Sequence, residues 1–343
     1  MSEPSASAGE PATLSFVEGV RAQPENLREA AAGMRDALAA SDLEPLREGT
    51  IVFCGIGASW HALLPSVRRL RLAGRRAFAV PAPELAATRG LADAYVLISQ
   101  SGASTEILEV LASLEGERVY ALGARRESPL ARAVHDWLPL GERADTAVST
   151  LSYTATLQAL GMLSEQIADG ERVDWSEVAE LAGESLERHR DDAELLAQQL
   201  VGCSTLDAVA AAPALASAGE TGLLGREALR LPAAAEETRQ YLHGPLEPVR
   251  EGFLCLLFGA ARELELAGAL SGYGAASCVV TAAQSATPFG AHVIRIAACA
   301  ELAAPILQIV PVQLAVAAAA ATLGLPVQEL TRQQADTKAA SAP

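Results

Sequence analysis

Aromatic residues are scarce: Phe, Trp and Tyr make up 4% of the 343 residues. Basic residues are also outnumbered, 26 against 42 acidic ones, for a formal charge of −16. Such a chain repels phosphodiester backbones and anionic membrane surfaces, so neither nucleic acid nor a membrane is expected as a partner. Any anion it binds must be held locally, by backbone N–H groups and hydroxyls. Cysteine is sparse, odd in number and without a CxxC pair: Cys54, Cys203, Cys255, Cys278 and Cys299. Most sit in apolar runs, which points to buried, reduced thiols and away from a disulfide framework. The histidines (His61, His135, His189, His243, His292) lack ligand spacing, so no metal site is expected. The opening MSEPSASAGEPA lacks the basic start and apolar stretch of a signal peptide. It reads as a disordered lead on a cytoplasmic chain. The turn CGIGASWH lacks the GxGxxG of a dinucleotide site, and no acidic residue closes a second strand at the usual distance, so NAD is not expected.

What is present is apolar and helix-forming. Half the residues are hydrophobic, with Ala and Leu supplying the bulk. Phe16 to Leu46 reads as helical. TIVFC, RRAFAVPA, AYVLIS, ERVYALGA and DWLPL read as short strands with helical segments between them, followed by a long helix from about Ser149 to Ala168. Apolar strands alternating with helices imply βαβ units and a parallel sheet. The pattern then restarts. TIVFCGIG is echoed by LDAVAAAP, AYVLISQSGASTEILEVL by FLCLLFGAARELELAG, RVYALGA by SCVVTAA, HDWLPL by HVIRIA, and SYTATLQALGML by VPVQLAVAAAAATLG. The offset is roughly 156 residues, as a tandem duplication of one α/β unit would give. A polar helical connector, Trp175 to Leu200, lies between the halves. Leu302 to Gln328 carries no charge, but its prolines and glutamines favour a buried strand followed by a buried helix over a membrane span. The expected division is a lead (1–13), an N-terminal helical segment (14–48), a first domain (49–170), a connector (171–201), a second domain (202–324) and a tail (325–343).

The two halves differ at their turns. The first carries Gly55, Gly57, Ser59 and the loop ISQSGAST, residues 98–105; the second offers AAAPAL and FGAARE, with few hydroxyls. One ligand site per two units is expected, lying mainly on the first half. A strand running through SQSGAST into a helix aims N–H groups and the hydroxyls of Ser99, Ser101, Ser104 and Thr105 at a helix N-terminus, which favours a phosphate or similar anion. Gly102 allows close backbone approach. The competing reading is a helix cap by Ser104 or Thr105. A cap accounts for one or two of these residues and not for four hydroxyls and a glutamine.

GIGAS, ISQSGAST, AVSTLSYTATL, GETGLLGRE…QYLHGPLEP and VPVQLAVAAAAATLGLP occur in the order seen in double sugar isomerase (SIS) domain proteins. From about Gly49 to Arg332 the chain resembles the isomerase half of glucosamine-6-phosphate synthase and the related phosphosugar deglycases and deaminases. The resemblance implies an α/β protein of two tandem three-layer α/β/α SIS domains, each with a mainly parallel, flavodoxin-like sheet. It implies a phosphorylated sugar or amino sugar held by Ser99, Gln100, Ser101 and Ser104, with Ser59 and Ser149 lining the sugar side. It also implies catalysis without a cofactor, in a homodimer whose active site is shared between subunits.

The same resemblance places Glu227 on the family's proton-shuttling glutamate and His243 on the histidine that assists ring opening. Phosphosugar isomerisation needs both roles: a carboxylate that carries a proton between neighbouring carbons through an enediol or enolamine, and a group that moves a proton on and off the ring oxygen. Without the resemblance, Glu227 reads as a solvated helix residue and His243 as an ordinary loop histidine. His61 reads as a packing residue. Leu224 and Leu151 replace lysines of the family. Arg332 takes the place expected of the C-terminal lysine that forms a Schiff base with the ketose; arginine stays protonated and cannot do that chemistry, though it can pair with an anion. There is no glutaminase domain ahead of the first unit and no cysteine at position 2, so glutamine-dependent synthesis is not expected. The expected activity is that of a cofactor-independent phosphosugar isomerase, deaminating or deglycating forms included. The alternative is a regulatory protein that senses a phosphosugar without converting it.

Overall fold

The computed structural model describes residues 14–338 except 142, 144, 328, 329 and 333. The expected disordered lead, residues 1–13, lies outside the described residues.

The chain begins with helices α1 (Phe16–Ala40) and α2 (Glu44–Glu48) and continues through β1 (Ile51–Cys54), α3 (Ala58–Leu72), β2 (Ala77–Ala79), α4 (Ala82–Ala86), β3 (Ala94–Ile98), α5 (Thr105–Ser113), β4 (Val119–Gly123), α6 (Pro129–Ala133), β5 (Asp136–Pro139) and α7 (Leu151–Ile167). Helices α8 (Trp175–Arg188) and α9 (Arg190–Gly202) lead to β6 (Thr205–Ala210), α10 (Leu215–Glu227), β7 (Ala233–Glu237), α11 (Thr238–Tyr241), β8 (Phe253–Phe258), α12 (Ala261–Gly272), β9 (Ala276–Thr281), β10 (Ala291–Arg295) and α13 (Ala304–Leu323). A 3-10 turn, Ala335–Thr337, follows.

The strands form two five-stranded sheets, ordered β2-β1-β3-β4-β5 and β10-β9-β8-β6-β7, with every pairing parallel. The two orders are equivalent, and each is the 2-1-3-4-5 order of flavodoxin-like sheets. The inner strands β1, β3, β4 and β8 are buried along their whole length, as expected where helices cover both faces of a parallel sheet. Alternation then assigns the faces. Ile51, Phe53, Val96, Ile98, Tyr120 and Leu122 point into a large core, while Val52, Cys54, Tyr95, Leu97 and Ala121 point the other way, into a smaller cluster with Leu85, Ile107 and Leu130. The large core runs on without a break into the second sheet through Leu254, Leu256, Phe258, Cys278 and Val280. The two sheets therefore share one apolar interior, in which α7, α10 and α13 are buried almost all round.

Three stretches depart from the sequence expectation. The helix expected over Phe16 to Leu46 stops at Ala40: Ser41 turns extended and its hydroxyl bonds back to the Ala37 carbonyl at 2.9 Å. The connector is two helices broken at His189, whose Nδ1 lies 3.1 Å from Asp192 Oδ2. The uncharged stretch near the C-terminus holds no strand among its described residues. It is the single helix α13, because Pro305 falls in the first turn, where its missing N–H has no partner to lose, and Pro311 removes only one internal hydrogen bond. α13 is long and apolar enough to cross a membrane by length and composition, yet Ile306, Ile309, Val310, Val312, Val316 and Ala319 are packed inside the common core.

The two halves are registered against each other by α3 and α10. A Cβ on Gly219 of α10 would stand 2.1 Å from Nδ1 of His61 in α3, so only glycine permits this approach. One turn on, Leu223 Cδ2 lies 3.9 Å from the Cβ position of Gly57, just ahead of α3. α10 thus runs antiparallel to α3. In an isolated helix Gly→Ala gains up to about 1 kcal/mol. Here Gly219→Ala is expected to destabilise the protein by about 1–3 kcal/mol through overpacking. Urea unfolding reads the sign directly, and a stabilised variant would contradict this packing.

Candidate functional site

In a parallel sheet the ligand crevice opens beyond the carboxyl ends of the two strands whose following connections diverge. In the first sheet these are β1 and β3. The turn after β1 carries Ser59, half-buried in the first turn of α3; the turn after β3 is the Ser99–Ser104 loop leading into α5.

The loop is tightly built. Ser99 is buried and its Oγ lies 3.1 Å from Ser104 Oγ. Ala103 N–H donates to Ser101 Oγ at 3.3 Å, and Gly102 N–H to the Ser99 carbonyl at 3.0 Å. Gly102 has φ +61°, and a Cβ there would meet Ser128 Oγ at 2.0 Å, so the loop requires glycine on both counts. Ser104 occupies the N-cap position of α5, yet its side chain makes no capping hydrogen bond. The cap reading therefore does not account for its hydroxyl. The hydroxyls of Ser99, Ser101 and Ser104 gather instead at the mouth of α5, whose first N–H groups have no helical partner. Gln100 is half-buried beside them, and its carbonyl accepts from Ala124 N–H at 2.9 Å.

Lys338 completes the loop, where the sequence had pointed to Arg332. Arg332 is exposed on a bend. Beyond it the chain makes the 3-10 turn and returns, pairing Lys338 with Ser104 in an antiparallel bridge. Lys338 Nζ donates to Ser101 Oγ at 3.1 Å. Much of the side chain is exposed, while partial burial of its amine lowers the pKa below the ordinary lysine value, against the pull of Glu106. The signal was present in the composition, for Lys338 is the only lysine in the chain.

Glu227 is the last residue of α10 and is half-buried. Gly219, Leu223 and Glu227 are four residues apart and share one face of that helix. Because the first two lie against His61 and Gly57, the antiparallel register carries Glu227 one turn further, past the start of α3 and toward the strand ends. Burial raises its pKa from 4.5 to about 7. His61 stays on the packing side; its burial lowers its pKa to about 4, so it is a neutral spacer at physiological pH. His243 is exposed on the turn after α11, and its side chain is not drawn into the crevice of its own chain.

Ser149 is half-buried directly before the N-cap of α7. The segment around it is ordered by Asp145, a residue the sequence reading passed over. The Asp145 carboxylate accepts from Thr150 N–H at 2.8 Å, Thr150 hydroxyl at 2.6 Å, Ser152 N–H at 2.9 Å and Ser152 hydroxyl at 2.5 Å. Glu220 was also missed. It is 1% exposed, its Oε2 has no partner among the described residues, and burial, with Glu227 and Asp145 nearby, pushes its pKa well above the carboxylate range. Among the described residues no group of His, Cys, Asp and Glu is arranged to hold a metal.

No family model and no curated protein matches the chain in sequence. Solved structures do match. The C-terminal domain of glucosamine-fructose-6-phosphate aminotransferase from Francisella tularensis superposes with a TM-score of 0.79 at 17% identity, over 94% of this chain and 100% of that one. Glucosamine-6-phosphate deaminase from Thermotoga maritima gives 0.77 at 20% identity, over 93% and 98%. Tagatose-6-phosphate ketose/aldose isomerase from Escherichia coli gives 0.76 at 18%, over 95% and 100%. The fold is theirs. It is the two-domain α/β SIS architecture that the sequence motifs pointed to, and it covers nearly the whole chain.

The raised carboxyl of Glu227 has a measurable consequence. The folded state binds this proton more tightly than the unfolded chain does. Its stabilising effect is therefore fully present below pH 4.5 and lost as the pH rises to about 7. Glu227→Gln should flatten the fall in stability over that window relative to wild type, as measured by urea midpoints across pH. An identical slope in both proteins would place Glu227 in water.

Proposed function

We propose that the protein is a cofactor-independent phosphosugar isomerase acting on a 6-phosphosugar or amino-sugar phosphate, deaminating or deglycating forms included. The observation that carries this is Lys338, the lone lysine, donating to Ser101 on an anion-competent loop; the register of α10 on α3 supports a carboxyl with a pKa of about 7, Glu227, directed toward the same strand ends. The phosphate would be held by the hydroxyls of Ser99, Ser101 and Ser104, by Gln100 and by the N–H groups opening α5. Ser59 and Ser149 would face the sugar. The three superposed proteins are named for phosphosugar chemistry, which supports the same reading.

In this reading Glu227 carries the proton. With a pKa near 7 it removes a proton from one carbon as carboxylate and returns it to the neighbour as acid, through an enediol or enolamine, without a large penalty in either direction. Lys338, its pKa lowered, supplies the amine that condenses with the open-chain carbonyl and releases water. The sequence argument for a non-catalytic sensor drew on missing lysines, and Lys338 on the loop weakens it. His243 would assist ring opening in a neighbouring subunit, since on its own chain it faces outward. The expected form is therefore a cytoplasmic homodimer with a shared site. Arg332, exposed on its bend, has no part in the proposed chemistry.

Glu227→Gln should lower kcat at least ~100-fold while leaving 6-phosphosugar binding intact. Lys338→Arg, which keeps the charge and removes the nucleophile, should also lose turnover; Arg332→Ala should keep it. The assay is interconversion of hexose 6-phosphates and amino-sugar 6-phosphates, with NMR detection of solvent deuterium at the exchanging carbon. Binding without any deuterium incorporation in the wild-type protein would favour the sensor. Wild-type turnover by Glu227→Gln would remove the carboxyl from the mechanism.

A further inference from the structure

The second sheet has a mouth of its own. By strand order its diverging pair is β6 and β8, the counterparts of β1 and β3. The segments that follow them, Ala211–Ala214 and Gly259–Glu263, line a cavity of about 490 Å3 together with Thr281, Ile296 and Gln308. That volume lies within the range of small-molecule sites, about 300–1,000 Å3. The site proposed above makes no use of it.

Its chemistry is opposite to that of the first mouth. Glu263, in the first turn of α12, is 5% exposed and folds back over its own loop: a Cβ on Gly259 would stand 2.4 Å from Glu263 Oε2. A carboxylate therefore sits where the first domain offers hydroxyls and amides. Glu263 Oε1 accepts from the Thr238 hydroxyl at 2.6 Å, while Oε2 has no donor among the described residues and is not sealed from the cavity. Gln308, also on the lining, is 6% exposed; its Oε1 accepts from Ser217 at 2.7 Å, and its amide nitrogen has no acceptor among the described residues. The other charges at the rim are mostly engaged. Glu301 pairs with Arg68, Arg262 with Glu265 at 2.9 Å, and the Glu237 carboxylate accepts from Arg239 and Gln240 N–H.

We propose that this cavity is a second binding site, for an amine-bearing polyol of monosaccharide size without a phosphate, whose ammonium pairs with Glu263 Oε2 and whose hydroxyl accepts from Gln308. A buried carboxylate with an unused oxygen calls for a donor, and it repels an anion from the helix N-terminus that would otherwise attract one. Much of the remaining wall is apolar, alanines with Pro213, Phe258 and Ile296, which suits the carbon faces of a sugar ring.

Isothermal titration calorimetry of the full chain tests this with glucosamine, glucose and inorganic phosphate as probes. Glucosamine should bind the wild-type protein, and Glu263→Gln, which keeps the shape and removes the charge, should weaken it at least about tenfold. Glucose should bind less tightly than glucosamine, and saturating phosphate should leave the glucosamine isotherm unchanged. No binding of glucosamine, equal affinity in Glu263→Gln, glucose binding as tightly, or displacement by phosphate would each overturn the proposal. If Glu263→Gln does not fold, Ala297→Leu fills the cavity from its wall. Loss of glucosamine binding in that variant is then the expected result, and retained binding contradicts it.

Discussion

The close antiparallel packing of α3 on α10 sets the geometry of everything else. It exists because position 219 has no side chain, which lets His61 lie against the backbone of α10. The two sheets belong to different halves of the chain, and neither alone holds the proposed site. The first supplies the loop at its carboxyl edge; the second supplies the helix that ends in Glu227. A continuous apolar interior, with α7, α10 and α13 buried between the sheets, keeps the halves in one register. A carboxyl can then be placed against another domain's strand ends by a rigid helix, which positions it more firmly than a loop would.

An acidic chain has a particular difficulty with anions. With a formal charge of −16, long-range attraction of a phosphate is absent, and recognition must come from short, directed hydrogen bonds. The proposed phosphate site at the first sheet mouth would meet this with hydroxyls, a helix N-terminus and a single ammonium. The second mouth, built on the same strand order, has a carboxylate in the corresponding turn. In the proposed reading, the difference between a loop of serines and the run Gly-Ala-Ala-Arg-Glu reverses the sign of the charge each mouth accepts.

Much of this was legible in the residues. Short apolar strands between helices specified a parallel sheet, and their restart gave two equivalent sheets. ISQSGAST marks the strand-to-helix turn at the mouth of the first, where Ser99 lies against Ser104 and Ser101 accepts from Ala103 N–H. What escaped has physical reasons. Helix breaks at Ser41 and His189 depend on local side-chain hydrogen bonds that periodicity does not register. α13 was divided because Pro305 and Pro311 were weighed as breakers, although one falls at the helix start. Asp145 and Glu220 look like ordinary acidic residues until folding gathers donors around the first and buries the second. The resemblance places Arg332 at the family's C-terminal lysine, and only the return of the tail past the 3-10 turn shows which cation reaches Ser101.

The central claim is spatial: one phosphosugar lies with its phosphate on the Ser99–Ser104 loop and its reacting carbons under Glu227. A crystal structure with a hexose 6-phosphate tests it most directly. The phosphate should accept hydrogen bonds from the hydroxyls of this loop, near Lys338, with the Glu227 carboxyl within reach of the first two carbons of the sugar. A phosphate bound elsewhere with this loop empty, or a Glu227 carboxyl turned away into bulk water, would contradict the account.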